Sequence, residues 1–182
     1  MLNAKRIEKL AGCLRSKGLD AIFAGPSTDL EYLADLRLFD DERPKGLMIS
    51  SEGKYFALTP MLYGEEMAHA LGGPSVCKIW ADHEGFGNAF AAGCRELGVA
   101  GGRIAVNDGV RAVDLIDMKS ALDAEYVNGA AVLSPLRSVK DETELSNMRR
   151  AGAIADEVME GISKFIAVGV CEKDVQERLI KL

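Results

Sequence analysis

Apolar residues recur at helical spacing between Asn3 and Lys17. Ile7, Leu10 and Leu14 fall at i, i+3 and i+7, while Lys5, Arg6, Lys9 and Arg15 mostly occupy the rest of the wheel. Gly18 supplies a stop. The run Asp20-Ala21-Ile22-Phe23-Ala24, ended by Gly25-Pro26, reads as a buried strand and a turn, after which Ser27 and Thr28 cap a short helix through Leu33. Leu36 to Lys45, LRLFDDERPK, mixes charges with Leu38 and Phe39, closes on a proline and reads as a loop. Strands are expected at Leu47 to Ser50 and Tyr55 to Leu58, joined by a turn with Gly53. Thr59-Pro60 has the form of a helix start, with Tyr63, Met67 and Leu71 on that helix's apolar face.

After Gly72-Gly73-Pro74 the pattern gives a strand from Val76 to Trp80 and a helix from Glu84 to Leu97, with Asp82 placed to cap it. A strand from Arg103 to Val106, a helix from Val110 to Leu122, a strand at Glu125 to Val127 and a short helix from Gly129 to Leu136 follow, with Pro135 blocking simple continuation. Strands alternating with helices around one hairpin predict an α/β fold, a mixed-sheet α/β/α sandwich. No repeat or low-complexity linker marks a boundary. Pattern alone divides the chain into residues 1–136 and 137–182, with the junction at Arg137 to Lys140.

Beyond the junction, Asp141-Glu142-Thr143-Glu144 has the capping-box form. In the long helix it opens, Leu145, Met148, Gly152, Ala155, Met159, Ile162 and Ile166 recur at steps of three and four, and Ala151, Ile154, Val158 and Phe165 widen the stripe. Burying its large apolar side chains represents on the order of 10 kcal/mol. The stripe therefore calls for a partner, in a dimer or on the first domain. A further helix starts at Glu172, and the chain is expected to stop inside this second domain.

Composition narrows the function classes. The 182 residues are 48% hydrophobic and 27% charged, with a net charge of -6, which disfavours nucleic acid as a partner. No apolar run approaches the ~20 residues that span a bilayer and no signal-peptide core follows Met1, so no membrane partner and a cytoplasmic location are expected. Cys13, Cys77, Cys94 and Cys171 lack C-x-x-C spacing and read as reduced thiols.

Local clusters of polar residues carry little chemistry. Asp82-His83-Glu84 diverge at a helix start, His69 reads as a helix-surface residue, and Asp156 with Glu160 reads as a solvated face. Gly98 to Gly102 precedes a strand and lacks the Lys-Ser/Thr of a phosphate loop. Cys171 beside Glu172 reads as a cap position.

Taken in order, Tyr32-Leu33, Arg43-Pro44, Leu58-Thr59-Pro60, Trp80-Ala81-Asp82, Leu97-Gly98, Ile104-Ala105-Val106 and the junction set Arg137, Val139-Lys140, Glu144-Leu145, Met148-Arg149 and Ala151 resemble the creatinase/prolidase family of pita-bread metallopeptidases. The resemblance covers essentially the whole chain. Departures are Val168-Gly169-Val170-Cys171-Glu172, where the family has Pro-Gly-Thr/Ser-Glu, and Tyr32-Leu33-Ala34-Asp35, where it has Tyr-Leu-Thr-Gly.

The resemblance implies a ribonuclease H-like N-terminal domain at 1–136 and a truncated pita-bread domain at 137–182. It implies a parent Xaa-Pro dipeptidase or aminopeptidase acting on proline-containing dipeptides or short peptides, with two divalent ions (Mn, Co or Zn). Those ions are held in the family by two Asp, one His and two Glu, none assignable here; no histidine follows Val139, so no catalytic or metal residue is expected and the chain alone is expected to be inactive. Expected partners are the chain's own catalytic domain and a second copy in a homodimer. The N-terminal domain then covers the active site, with Arg37, Phe39 and Arg43 contacting substrate in trans. Alternatives are a creatinase-type or other non-peptidase enzyme of the same fold, or a naturally short ligand-binding or dimerisation module.

Overall fold

The alternation of short apolar runs with amphipathic segments forms, in a computed structural model describing residues 2–182, a six-stranded sheet ordered β4-β3-β2-β1-β5-β6. The strands are β1 (Ala21–Ala24), β2 (Gly46–Ser50), β3 (Tyr55–Pro60), β4 (Cys77–Trp80), β5 (Arg103–Val106) and β6 (Glu125–Asn128). β2 runs antiparallel to β1 and β3, and the remaining pairings are parallel. The five parallel strands therefore end on one edge, where β2 begins.

Both sheet faces are covered, which is why the central strands read as continuous apolar runs. On one side Ile22 and Ala24 of β1 and Leu47 and Ile49 of β2 pack with α1 (Ala4–Ser16), α2 (Thr28–Ala34), α3 (Gly64–Leu71) and α6 (Ala130–Ser138). On the other, Phe23, Met48 and Phe56 pack with α4 (Gly87–Leu97) and α5 (Ala112–Ala121). The result is the expected α/β/α sandwich. α1 is capped by Asn3, whose side chain accepts the Arg6 amide, and presents Ile7, Leu10 and Leu14 to the core.

The structure corrects three local expectations. Thr59-Pro60 does not start a helix: both residues continue β3, opposite Ile79 and Trp80 of β4, and Pro60 is extended. A proline is tolerated at a strand end, where its missing donor costs no ladder bond. A single 3-10 turn, Met61–Tyr63, then leads into α3. Asp82 does not cap α4, which begins at Gly87 without a side-chain cap, because the Asp82 carboxylate is held by Arg43. Phe86 anchors that helix start instead, buried and edge-on to Trp80 and Phe90. Pro135 lies inside α6, which runs on to Ser138.

The chain divides into two units between Ser138 and Val139. In the second, Asp141 and Glu144 make a reciprocal capping box at the start of α7 (Glu142–Phe165), and α8 (Glu172–Lys181) follows. Of the apolar stripe on α7, Ile162 is buried, whereas Met148, Ile154 and Met159 are more than half exposed.

Candidate functional site

In open α/β sheets the crevice at the carboxyl ends of the strands, beside the point where strand order reverses, is the usual ligand site. Here that point lies between β1 and β5, and backbone fills it. A Cβ built on Gly25 would stand 2.5 Å from the Gly109 carbonyl oxygen, and one on Gly109 would stand 2.3 Å from the Pro26 carbonyl oxygen. Only glycine at both positions permits this approach. The Asn107 side chain locks the two turns together, accepting the Gly25 amide at 2.9 Å and donating to Ser27 Oγ at 2.7 Å. About 10 Å³ of free volume remains.

The loop 36–45 crosses the same edge and divides into an anchored half and an extended tip. In the anchored half, Lys45 is almost fully buried, with 2% of its side chain exposed and its Nζ 2.5 Å from Asp41 Oδ1. Asp41 also accepts the Arg43 amide at 2.9 Å and the Tyr63 hydroxyl at 2.8 Å, while Lys45 Nζ lies 5.1 Å from the centre of the Tyr63 ring. Burial pushes the Asp41 carboxyl up, but the bonds from Lys45, the Arg43 amide and Tyr63 outweigh it and hold it at about 2. Tyr63 is raised in turn, first by its bond to Asp41.

Three further elements hold the same half. Trp80 Nε1 donates to the Pro44 carbonyl at 3.1 Å. Arg43 makes a two-pronged pair with Asp82, at 3.1 and 3.0 Å, which lowers the Asp82 carboxyl. Arg111 bonds both oxygens of Asp114 and donates to the Glu42 carbonyl at 2.6 Å.

The tip carries Arg37 and Phe39. Phe39 is 83% exposed, and Arg37 is nearly free, 3.9 Å from Glu31. Between this tip and α3 lies a groove of about 380 Å³, whose lining is apolar at Leu36, Leu38, Phe39 and Met67, cationic at Arg37 and Lys45 and acidic at Glu66, with Tyr63 beside them. The structure thus brings Arg37 and Phe39 to one groove and sets Arg43 apart, braced on Asp82. An apolar wall beside a guanidinium suits a ligand with an apolar body and an anionic end.

Sequence reasoning missed Asp41, Lys45 and Tyr63. The available signal was Lys45, a cation directly preceding the fully apolar start of β2, with an acid four residues earlier. His69 and His83 are exposed, and among the described residues no group of three or more His, Cys, Asp or Glu side chains is arranged to hold a metal. The two-metal ligand set implied by the resemblance therefore does not fit the residues described. No helix among the described residues is long and apolar enough to cross a membrane.

Comparison with known proteins places this geometry. The chain is 31% identical over 175 residues to the probable dipeptidase PepE of Mycobacterium tuberculosis, a match covering 94% of this chain and 46% of that protein. It spans about half the length of the curated relatives it matches. Among solved structures, a dipeptidase from Pyrococcus horikoshii OT3 superposes with a TM-score of 0.84 at 32% identity, covering 96% of this chain and 48% of that one. Dipeptidase PepE from Mycobacterium ulcerans superposes with a TM-score of 0.84 at 27% identity, over 98% and 49% of the respective chains. The family model described as the creatinase/prolidase N-terminal domain matches residues 6–139, the sandwich with its loop and packed strand-end crevice, and to that family this chain belongs.

Proposed function

We propose that this chain is the N-terminal half of a Xaa-Pro dipeptidase-like metallopeptidase, with residues 1–136 as its N-terminal domain and 137–182 as the entry into its catalytic domain. In that reading its task is to cover an active site carried elsewhere. The observation that carries it is the combination of similarity to dipeptidases over nearly the whole chain with a span of about half their length. The parent's two divalent ions (Mn, Co or Zn) have no ligand set among the described residues, and no step through them is assigned to this chain. The exposed α7 stripe of Met148, Ile154 and Met159 is the face for the chain's own catalytic half, and a homodimer in the cytoplasm is the assembly and setting.

The covering element is the loop 36–45. Arg37 and Phe39 stand out from it beside the groove, as residues meeting a peptide's carboxylate and apolar side chain in trans would have to. Arg43 supports the loop through Asp82. The test is the full-length enzyme with Arg37, Phe39 and Arg43 all replaced by alanine, assayed on Xaa-Pro dipeptides. KM is expected to rise about tenfold, the loss of roughly one charged hydrogen bond, with kcat little changed. An unchanged KM refutes the covering role, and a full-length protein that cleaves no dipeptide refutes the peptidase reading.

A further inference from the structure

The loop 36–45 has no helix or strand of its own, yet its two halves differ in how they are held. Residues 41–45 accept bonds from Tyr63, Trp80 and Arg111 and donate a pair to Asp82, partners on three separate stretches of chain: after β3, at and just beyond the end of β4, and before α5. At their centre is a closed triangle: Lys45 on Asp41, Tyr63 on Asp41, and the Tyr63 ring beneath the Lys45 ammonium. A lysine with 2% of its side chain exposed is tolerated only with a compensating anion in place, so the ion pair and the loop conformation that forms it stand or fall together. Residues 37–39, two to four before Asp41, have no comparable polar bonds: Leu36 is buried and Leu38 packs against the core, but Phe39 is solvent-exposed and Arg37, among the described residues, pairs with Glu31 at 3.9 Å.

We propose that Asp41, Lys45 and Tyr63 act as a clasp that fixes the loop in the conformation presenting Arg37 and Phe39 to substrate, which makes them positioning residues. This inference rests on reading the loop as the covering element. Tyr63 is its most informative member. Its hydroxyl bonds one Asp41 oxygen while Lys45 bonds the other, so each partner restrains a different oxygen and the carboxylate has one orientation. Removing the hydroxyl frees that rotation and leaves the aromatic ring, the lysine and the packing of α3 in place. The clasp also forms one wall of the groove, because Lys45 and Tyr63 line it together with Arg37 and Phe39. Loosening it therefore alters the groove as well as the tip.

Two measurements on Tyr63→Phe decide the matter. The first uses the chain as it stands: limited trypsin digestion, following cleavage after Arg37 against cleavage within Val139–Leu182 as the internal reference. Loss of a hydrogen bond to a carboxylate should raise the population of the open loop, and the relative rate of cleavage after Arg37, about tenfold. An unchanged relative rate overturns the clasp without touching the peptidase reading. The second uses the full-length enzyme. Tyr63→Phe should raise dipeptide KM several-fold with kcat held, and should have no further effect once Arg37 and Phe39 are alanine, because nothing is then left to position. An equal effect in both backgrounds overturns the positioning role.

Lys45→Met should act in the same direction and Lys45→Arg should restore part of the loss. If Lys45→Met fails to fold, Tyr63→Phe carries the test alone. Alanine at Arg37 and Phe39 with no change in KM would overturn the covering role itself, a result separable from failure of the trypsin experiment.

Discussion

Gly93 of α4 faces the Phe56 ring of β3, and replacing it with alanine isolates packing from helix propensity. A Cβ at this position would stand 2.6 Å from Phe56 Cζ and 2.7 and 2.8 Å from its Cε atoms. Phe56 is 3% exposed and shares its cluster with Met48, Phe90 and Cys94, so the ring has no open space to turn into. Overpacking of this kind costs ~1–3 kcal/mol, against which the better helix propensity of alanine returns about 0.5–1 kcal/mol. The expected net loss is roughly 1–2 kcal/mol. Gly12 in α1 is the matched control, since its added Cβ would meet only Arg15 Nη2 at 3.9 Å; Gly12→Ala should stabilise by about 0.5–1 kcal/mol. Urea unfolding followed by the fluorescence of Trp80, the one tryptophan in the chain and buried in the same cluster, reads both changes. The midpoint should fall for Gly93→Ala and rise for Gly12→Ala at unchanged slope. Phe56→Leu should give back part of the loss in the Gly93→Ala protein, a non-additivity that identifies the contact responsible. Two glycines that both stabilise on replacement would refute the claim that α4 is seated by a missing side chain.

Acid should reveal the Asp41 clasp. Its carboxyl titrates at about 2 in the folded chain against an ordinary 3.8, so its contribution is fully present above about pH 4 and is lost as pH falls toward 2; the shift corresponds to roughly 2 kcal/mol. Urea midpoints measured across that window should drop less steeply in Asp41→Asn than in the parent, and equal slopes would contradict the assignment. The exposed stripe of α7 predicts self-association of the 182-residue chain. Replacing Met148, Ile154 and Met159 with glutamine should abolish it in light scattering, and a parent already monomeric at micromolar concentration would contradict the stripe's need for cover.

The layered fold was legible because its signal is local and repeated. Ile7, Leu10 and Leu14 mark a helix face, Ala21 to Ala24 mark a strand buried on both sides, and Asp141 with Glu144 mark a helix start; each is visible within a few residues. The errors fell where a tertiary partner decided between two local readings. Thr59-Pro60 is a good helix start in isolation, but β4 alongside offers Ile79 and Trp80 as strand partners and the extended form wins. Asp82 is a good cap in isolation, but a guanidinium contributed from 39 positions earlier offers two charge-assisted bonds, roughly twice as strong as neutral ones, against one amide.

The clasp is the same effect at the candidate site. Asp41 and Lys45 are four apart, a spacing that on a helix signals a solvated ion pair worth a few tenths of a kcal/mol. Nothing nearby in sequence says that this pair is buried, because its cover comes from Tyr63, 22 positions from Asp41, and from the strand ends around it. The charges of LRLFDDERPK, read in sequence as a loop mixing charges with Leu38 and Phe39, divide by depth: Lys45 and Asp41 lie inward, Arg43 is held at the rim by Asp82, and Arg37 stands outside beside the exposed Phe39. That gradient gives the loop its physical logic. A long segment without secondary structure loses ordering entropy at every residue, ~1–2 kcal/mol each for the backbone, and cannot hold a side chain in place by itself. Its polar bonds concentrate on residues 41–45 and its apolar contacts on Leu36 and Leu38, so Arg37 and Phe39 can be both exposed and restricted in position. A loop held evenly along its length would bury the side chains that the proposed covering role needs exposed.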